Sequence, residues 1–111
     1  MIYVYIACPY TKGDVCENVA KSHDAWDQLF DLGFFPFNPL FTHYQHLRKQ
    51  RPYQEWTRYD DAWVLRCDAI LRLPGESSGA DQEVALAEAH GIPVFHKIED
   101  LNRWRGDEEM R

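Results

Sequence analysis

The feature that most constrains the fold of this chain is the alternation of short apolar runs with helical segments. Four runs have the β-branched and aromatic composition of buried strands: residues 2–7, 34–37, 69–73 and 93–96. Segments with helical spacing or helix-capping residues occur over about residues 14–32, 52–67, 79–90 and 101–105. Strands that alternate with helices predict a parallel sheet covered on both faces. We therefore expect one α/β domain over residues 1–111, a doubly wound parallel sheet of the flavodoxin or Rossmann type.

This topology also predicts where a ligand binds. In open parallel sheets, ligands occupy the edge formed by the carboxyl ends of the strands. Three loops leave strands at that edge, at residues 8–13, 38–52 and 74–78. We expect functional side chains in these loops and at the starts of the helices that follow them.

A carboxylate lies on the apolar stripe of the helix predicted over residues 79–90. Ala80, Val84 and Ala87 form the stripe, and Glu83 falls between them. Burying a carboxylate is costly unless it is paired or functional. The structural alternative is that Glu83 lies at the fringe of the stripe and pairs with an arginine. Its position one turn past a loop at the ligand edge favours a functional role.

Asp60 is a second carboxylate on an apolar stripe. It lies between Trp56 and Trp63 on the helix predicted over residues 52–67, whereas Asp61 is expected to point to solvent. Tryptophan neighbours would desolvate Asp60 and raise its pKa unless a polar group meets it. Two interpretations stay open: a functional carboxylate, or a buried aspartate satisfied by backbone N–H groups or a tyrosine.

The residues before Glu83 predict a helix N-terminus. Ser78 is the expected N-cap, and Asp81 three residues later completes a capping box. Ser77 then lies just outside the helix, where it and the N–H groups of Gly79 and Ala80 could hold an anion such as phosphate. Serines are common at helix starts for structural reasons, so anion binding is a hypothesis at this point.

Aromatic and amide side chains are concentrated near the same edge of the sheet. They could stack on a nucleobase or form a small core within the loops; they are Tyr10, Asn38, Phe41, His43, Tyr44 and Tyr53. His43 and His46 are spaced as HxxH, but no further ligand has metal-like spacing, so we expect no metal site. We expect no cofactor.

Composition excludes several classes of partner and compartment. The net charge is −6 and the only dense basic run is residues 48–51, which argues against binding a nucleic acid polymer. Three cysteines without CxxC spacing argue against disulfides and structural zinc, and are typical of a reducing cytoplasm. We expect no signal peptide, no membrane span and a cytoplasmic protein. Because the domain is small, we expect a homo-oligomer, most simply a dimer, that completes the pocket.

Four blocks of the sequence together resemble the nucleoside 2-deoxyribosyltransferase superfamily. They are residues 3–10, 60–63, 67–70 and 77–83, the last running into Ala87, and together they extend over most of the chain. The last block is the most specific, with Ser77 six residues and Gly79 four residues before Glu83. By this resemblance Glu83 is the nucleophile that attacks C1′ of the sugar. Asp60 matches the second essential carboxylate of the family, and Tyr5 matches the tyrosine that orients the nucleophile.

One position departs from the transferases that act on free nucleosides. They tend to carry Asp where this chain has Ser77, whereas the branch that hydrolyses nucleoside 5′-monophosphates carries Ser. That branch includes the 2′-deoxynucleoside 5′-monophosphate N-glycosidase and the hydroxymethylcytidylate hydrolases. A carboxylate repels phosphate, whereas a hydroxyl at a helix N-terminus donates to it. The 8–13 loop matches neither branch closely, so Thr11 and Lys12 are weaker candidates for phosphate contacts.

The resemblance implies cleavage of the N-glycosidic bond of a nucleoside 5′-monophosphate, by hydrolysis or transfer. Glu83, Asp60 and Tyr5 are the expected catalytic residues. The expected substrate contacts are Ser77, Gly79, Tyr10, Asn38 and His43. A 2-deoxyribosyltransferase acting on free nucleosides and a non-catalytic nucleotide-binding module are the alternatives. The sequence leaves the base, the sugar and the acceptor open.

Overall fold

The computed structural model of the protein describes residues 1–109. The strands are β1 (Tyr3–Ala7), β2 (Phe35–Phe37), β3 (Ala69–Arg72) and β4 (Val94–Phe95). The helices are α1 (Val15–Asp31), α2 (His43–Arg48), α3 (Tyr53–Val64), α4 (Ser78–Ala89) and α5 (Ile98–Glu109), with a 3₁₀ turn at Pro39–Thr42 before α2. The strands form one parallel sheet in the order β2-β1-β3-β4. The predicted doubly wound α/β fold is confirmed.

The central strand β1 supplies buried side chains to both faces of the sheet. Val4 and Ile6 pack in a cluster with residues of α1 and α5, whereas Tyr5 and Ala7 pack with residues of α3 and α4. Successive side chains of a strand point to opposite faces, which explains this division. The Asp68 carboxylate accepts the Tyr3 N–H at 2.9 Å and ties the start of β3 to β1. The face that carries Tyr5 is the face where the candidate site lies.

The segment predicted as a loop over residues 38–52 contains helical structure instead. The Asn38 side chain accepts the Leu40 N–H at 2.9 Å, and Pro39 occupies the first position of the 3₁₀ turn. The Asn38 amide also donates to the Ser22 hydroxyl of α1 at 2.9 Å. These bonds begin the turn, and α2 follows it directly. The segment was missed because one buried asparagine and its partner on α1 start it, which local periodicity does not reveal.

The start of α4 also differs from the prediction. Ser77, not Ser78, is the N-cap, because its hydroxyl oxygen accepts the Ala80 N–H at 3.1 Å. Asp81 does not close a capping box; its carboxylate forms an ion pair with Arg72 at 3.0 Å. The Asp81 carboxylate, which the sequence predicted to cap α4, therefore pairs with the buried guanidinium of Arg72 at the end of β3. The last helix is also longer than the predicted 101–105 segment.

Two loops at the carboxyl edge are held against each other. Gly75 has a φ of +117°, and a Cβ at this position would lie 2.8 Å from Cγ of Pro9. The Lys12 ammonium lies 3.2 Å from the Glu76 carboxylate. The β1–α1 loop and the β3–α4 loop therefore form one continuous rim beside the start of α4. Within residues 1–109, no helix has the length and apolarity needed to cross a membrane.

Candidate active site

A cavity of about 640 Å³ opens at the carboxyl edge of the sheet. Its walls come from the β1–α1 loop, the 39–51 segment, one face of α3 and the first turns of α4. The predicted residues Glu83, Asp60, Tyr10 and His43 line it, and so do Ser77 and Gly79 at the start of α4. Its volume suits a drug-sized or nucleotide-sized ligand.

Glu83 reaches the sheet from the second turn of α4. The hydroxyl of Tyr5, a completely buried residue of β1, donates to Glu83 Oε2 at 2.5 Å. The Tyr5 ring in turn stacks on Phe37 of β2, with centroids 5.6 Å apart. The sheet therefore fixes the donor, and the donor fixes the carboxylate. Tyr5 reaches the site through Glu83 and does not line the cavity itself.

Burial dominates the ionisation of Glu83. Burial is the largest cause that raises the pKa of this carboxyl, to about 8, and the neighbouring Asp60 and Asp61 contribute in the same direction. The Tyr5 hydrogen bond and the charge of Arg72 act in the opposite direction. The carboxylate thus lies in a water-poor site where two groups favour its charged form and two carboxylates oppose it.

Asp60 faces the same cavity from α3. Its Oδ1 atom is buried and has no hydrogen-bond partner among residues 1–109. Burial, with a contribution from Asp61, raises the pKa of Asp60 to about 7. Satisfaction of this oxygen by a backbone N–H or a tyrosine, which the sequence left open, is not observed. Asp61 also lines the cavity, so the expectation that it points to solvent is wrong; burial raises its pKa too.

Two histidines of α2 that line the cavity are held by aromatic side chains. The Tyr10 hydroxyl is hydrogen bonded to Nδ1 of His43, and Nε1–H of Trp56 donates to Nδ1 of His46 at 2.8 Å. An indole nitrogen can only donate, so His46 Nδ1 accepts and the ring carries its proton on Nε2. Arg51 lies over the Trp56 ring, 5.8 Å from its centroid. This wall combines flat rings with hydrogen-bond donors.

The remaining predicted residues differ in where the structure places them. Ser77, Ser78 and Gly79 line the cavity together with Thr11 and Lys12. Because the Ser77 oxygen accepts from Ala80, the hydroxyl proton of Ser77 can still donate to a ligand. Asn38 is not among the cavity-lining residues: it is 1% exposed and its side chain caps the 3₁₀ turn. Its polarity serves local structure, so the prediction that it contacts substrate has no support in this arrangement.

A comparison with protein families assigns the chain to one of them. A family model described as a domain of unknown function, DUF4406, matches residues 2–96. The chain belongs to the DUF4406 family.

Among solved structures, the DUF4406 chain is similar to a 2-deoxyribosyltransferase from the psychrotolerant bacterium Bacillus psychrosaccharolyticus. The TM-score is 0.60 and the sequence identity 20%, and the match covers 83% of this chain and 69% of the other. The resemblance inferred from the sequence is thereby confirmed at the level of the fold. The comparison with curated proteins gives no match.

Sequence reasoning missed several residues around the cavity of this DUF4406 chain. Arg72 ends the apolar strand β3 two residues after Ile70, on the face of α3 and α4, and its guanidinium is buried. A cation at that spacing in an otherwise apolar strand was the available signal. The proximity of His46 and Arg51 to Trp56 had no such signal, because it depends on how α2 packs beside α3. The Cys8 thiol also lines the cavity, and burial raises its pKa to about 12, which keeps it protonated.

Proposed function

We propose that this DUF4406 protein cleaves the N-glycosidic bond of a nucleoside 5′-monophosphate, with Glu83 as the nucleophile and residues 1–111 as one catalytic domain. One observation carries the proposal. Glu83, which accepts a 2.5 Å hydrogen bond from Tyr5, lines the same cavity as Asp60, whose buried Oδ1 has no hydrogen-bond partner among the described residues. Two buried acids with raised pKa values in one cleft are typical of catalytic sites.

The proposed chemistry follows from the charge that develops on the sugar. Departure of the base leaves an oxocarbenium-like C1′, which a carboxylate beneath the ring stabilises and traps as a glycosyl ester. An acid beside the base donates a proton and assists its departure. Water then attacks C1′, which breaks the ester bond to Glu83, and gives its proton to the Asp60 carboxylate; this releases the sugar phosphate. A second base that attacks C1′ instead completes a transfer. Glu83 serves as the nucleophile and Asp60 as the acid.

This division of roles requires the pair to hold one proton near neutral pH. Both pKa values are raised, to about 8 for Glu83 and about 7 for Asp60, so the two carboxyls do not both ionise readily. The order of these two values alone would place the proton on Glu83. The contacts favour the opposite arrangement, because Glu83 receives the Tyr5 O–H and faces the charge of Arg72, whereas Asp60 Oδ1 receives no donor. We therefore assign the charge to Glu83 and the proton to Asp60.

The phosphate is assigned to the start of α4. Ser77, Ser78, Gly79 and Lys12 all line the cavity. The Ala80 N–H donates to the Ser77 hydroxyl oxygen, so the N–H groups of Ser78 and Gly79, with the Ser77 hydroxyl proton, are the donors for the phosphate. A helix N-terminus favours an anion through its unpaired N–H groups and its dipole. Lys12 is 64% exposed and pairs with Glu76, so it can turn towards a phosphate at little cost.

The base is assigned to the part of the cavity lined by Trp56 and His46. Trp56 and Thr57 precede Asp60 by about one turn on the face of α3 that lines the cavity. With a rise of about 1.5 Å per residue, the backbone positions of Trp56 and Asp60 are separated by roughly 6 Å along the helix axis. That separation matches the distance between a sugar and the far side of its base. The Nε2–H of His46 is then a donor for a ring nitrogen or carbonyl of the base.

A panel of substrates tests the proposal. The protein is incubated with the common nucleosides and their 5′-monophosphates, ribo and deoxy, and free base is measured by chromatography. We expect base release from at least one 5′-monophosphate and none from the Glu83→Gln protein. Base exchange on free nucleosides without activity on nucleotides would favour the transferase alternative. Binding without any base release would favour a nucleotide-binding module, and turnover by Glu83→Gln would refute the nucleophile.

We further propose that the protein acts as a cytoplasmic homodimer that associates through a groove beside β2. This aromatic groove has a volume of about 820 Å³ and is lined by Tyr3, Trp26, Phe30, Phe35, Tyr59 and Trp63, among others. Several of these rings are 40% exposed or more, which is unusual for a surface without a partner. The groove includes α3 residues, so a second copy there would also support the helix that carries Asp60.

The outer edge of β2 is poorly suited to pairing with a strand of a second copy, so we expect the two copies to associate through side-chain contacts. Pro36 has no N–H to offer a further strand, and its carbonyl accepts Nε1–H of Trp26 at 3.1 Å. Sedimentation equilibrium tests the proposal: Trp63→Lys should shift the protein towards monomer. The matched control is Leu65→Lys, because Leu65 is equally exposed on the neighbouring turn but lies outside the groove. A native protein that is monomeric at high concentration would exclude this dimer.

A further inference from the structure

Arg72 is the last residue of β3 and only 8% of its surface is exposed. Its side chain shares a sheet face with Ile70 and Tyr5, which is the face covered by α3 and α4. Arginine is rarely buried to this extent unless it is paired or functional. The glycosidic chemistry described above uses only its charge, as one influence on Glu83, and gives no role to its hydrogen bonds.

The guanidinium holds the loop that leads into α4. It donates from Nη1 to the Leu73 carbonyl, and from Nη2 to the Gly75 carbonyl at 2.9 Å and to the Asp81 carboxylate at 3.0 Å. These acceptors extend from the end of β3 to the first turn of α4. Ser77 lies between them in the chain, so the planar fork of one side chain fixes the backbone that delivers Ser77 to the cavity.

Arg72 is also the cation among the groups that set the charge of Glu83. Burial raises the pKa of Glu83 most, and the Arg72 charge lowers it. The other groups that act on this carboxyl come from β1 and α3, and they are Tyr5, Asp60 and Asp61. Arg72 likewise lowers the pKa of Cys8, which follows β1. Asp81, its ion-pair partner, has a side chain that is 71% exposed, so solvent screens much of that pairing.

We propose that Arg72 is a positioning residue with two tasks: it fixes the loop that carries Ser77, and its buried positive charge favours the carboxylate form of Glu83. The second task rests on the proposed function only in the role given to Glu83. The ionisation of Glu83 itself can be measured without any substrate.

The test is a ¹³C NMR titration of the glutamate carboxyl carbons, with the Glu83 resonance assigned from the Glu83→Gln spectrum. Arg72→Gln keeps donors for the loop carbonyls but removes the charge, so the Glu83 midpoint should rise by roughly 0.5–1 pH unit. Arg72→Lys restores the charge and should return the midpoint most of the way to the native value. Asp81→Asn is the matched control, because it breaks the ion pair and keeps the cation; it should cause no rise.

A Glu83 midpoint that is unchanged in Arg72→Gln, or that rises equally in Asp81→Asn, would overturn the charge role. If Arg72→Gln does not fold, the double variant Arg72→Gln/Asp81→Asn gives the same comparison, since it replaces the ion pair by two neutral amides. Once a nucleotide substrate is known, the pH at half-maximal kcat should rise in Arg72→Gln and KM should increase through the displaced Ser77. An absence of base release from every nucleotide would refute the proposed function and leave the titration result standing.

Discussion

The Tyr5 hydroxyl and the Glu83 carboxylate are 78 residues apart in sequence and 2.5 Å apart in space. The donor belongs to the central strand and the acceptor to the helix packed on it, so a rigid core element holds a cavity residue in place. Sites supported in this way keep the reacting group in a narrow range of positions.

Removing this donor should weaken the nucleophile without removing it. Tyr5→Phe keeps the ring that stacks on Phe37 and deletes the hydroxyl that favours the charged form of Glu83. We expect kcat for base release to fall by about 10- to 100-fold and its pH midpoint to rise. Tyr44→Phe, at a ring that is 67% exposed and lines neither the cavity nor the groove, is the control and should leave both quantities unchanged. Equal rates for Tyr5→Phe and the native protein would show that the hydrogen bond is purely structural.

The residue at position 77 should decide between nucleotides and nucleosides. Ser77→Asp keeps a side chain that can cap α4 but places a negative charge where the phosphate is proposed to bind. We expect kcat/KM for a 5′-monophosphate to fall by about 10- to 100-fold relative to the matching nucleoside. Ser77→Asn is a neutral capping residue of the same shape and should retain most of the nucleotide activity. If the Asn and Asp proteins lose activity equally, charge is not the cause.

Stability should fall as the pH rises through the neutral range. Folding raises the pKa of Glu83 from 4.5 to about 8 and that of Asp60 from 3.8 to about 7, so the folded chain binds these protons more tightly than the unfolded chain. Their contribution is therefore complete below about pH 4 and is lost as the pH rises towards 8.

Urea denaturation at pH 5, 6, 7 and 8 measures this dependence. Glu83→Gln should flatten the curve and raise the free energy of unfolding at pH 8 by roughly 1–3 kcal/mol relative to the native protein. Glu88→Gln changes an exposed carboxylate on the same helix and should keep the native slope. A native slope in the Glu83→Gln protein would contradict the burial argument.

The contact between the two loops at the cavity rim should be intolerant of a methyl group. Gly75→Ala forces a side chain into a φ of +117° and to within 2.8 Å of Pro9, so we expect a loss of about 1–3 kcal/mol in the free energy of unfolding. Gly106→Ala, in α5, meets nothing within 4 Å and should stabilise the helix by up to about 1 kcal/mol. Thermal denaturation of both proteins beside the native chain measures the difference. A Gly75→Ala protein as stable as the native one would show that the loops can separate freely.

The amino-acid sequence by itself determined the strands, the main helices and the parallel arrangement of the sheet. These features depend on composition and periodicity over a few neighbouring residues, such as the continuous apolar run of β1 or the apolar stripe around Glu83. The same periodicity identified Glu83 and Asp60 as candidates, because a charged residue on an apolar helix stripe is unusual and can be recognised from the sequence alone.

The tertiary structure alone decided which groups meet. Ser77 became the cap in place of Ser78, which puts Asp81 one residue beyond the capping-box position, and its carboxylate pairs with Arg72 instead. The Asn38 side chain donates to Ser22 of α1 and accepts the Leu40 N–H in the turn that it begins, so it does not reach the cavity. The family resemblance implied the pairing of Tyr5 with Glu83, but its geometry depends on how α4 lies on the sheet and on strand register. Such contacts join residues far apart in the chain, so no local pattern encodes them.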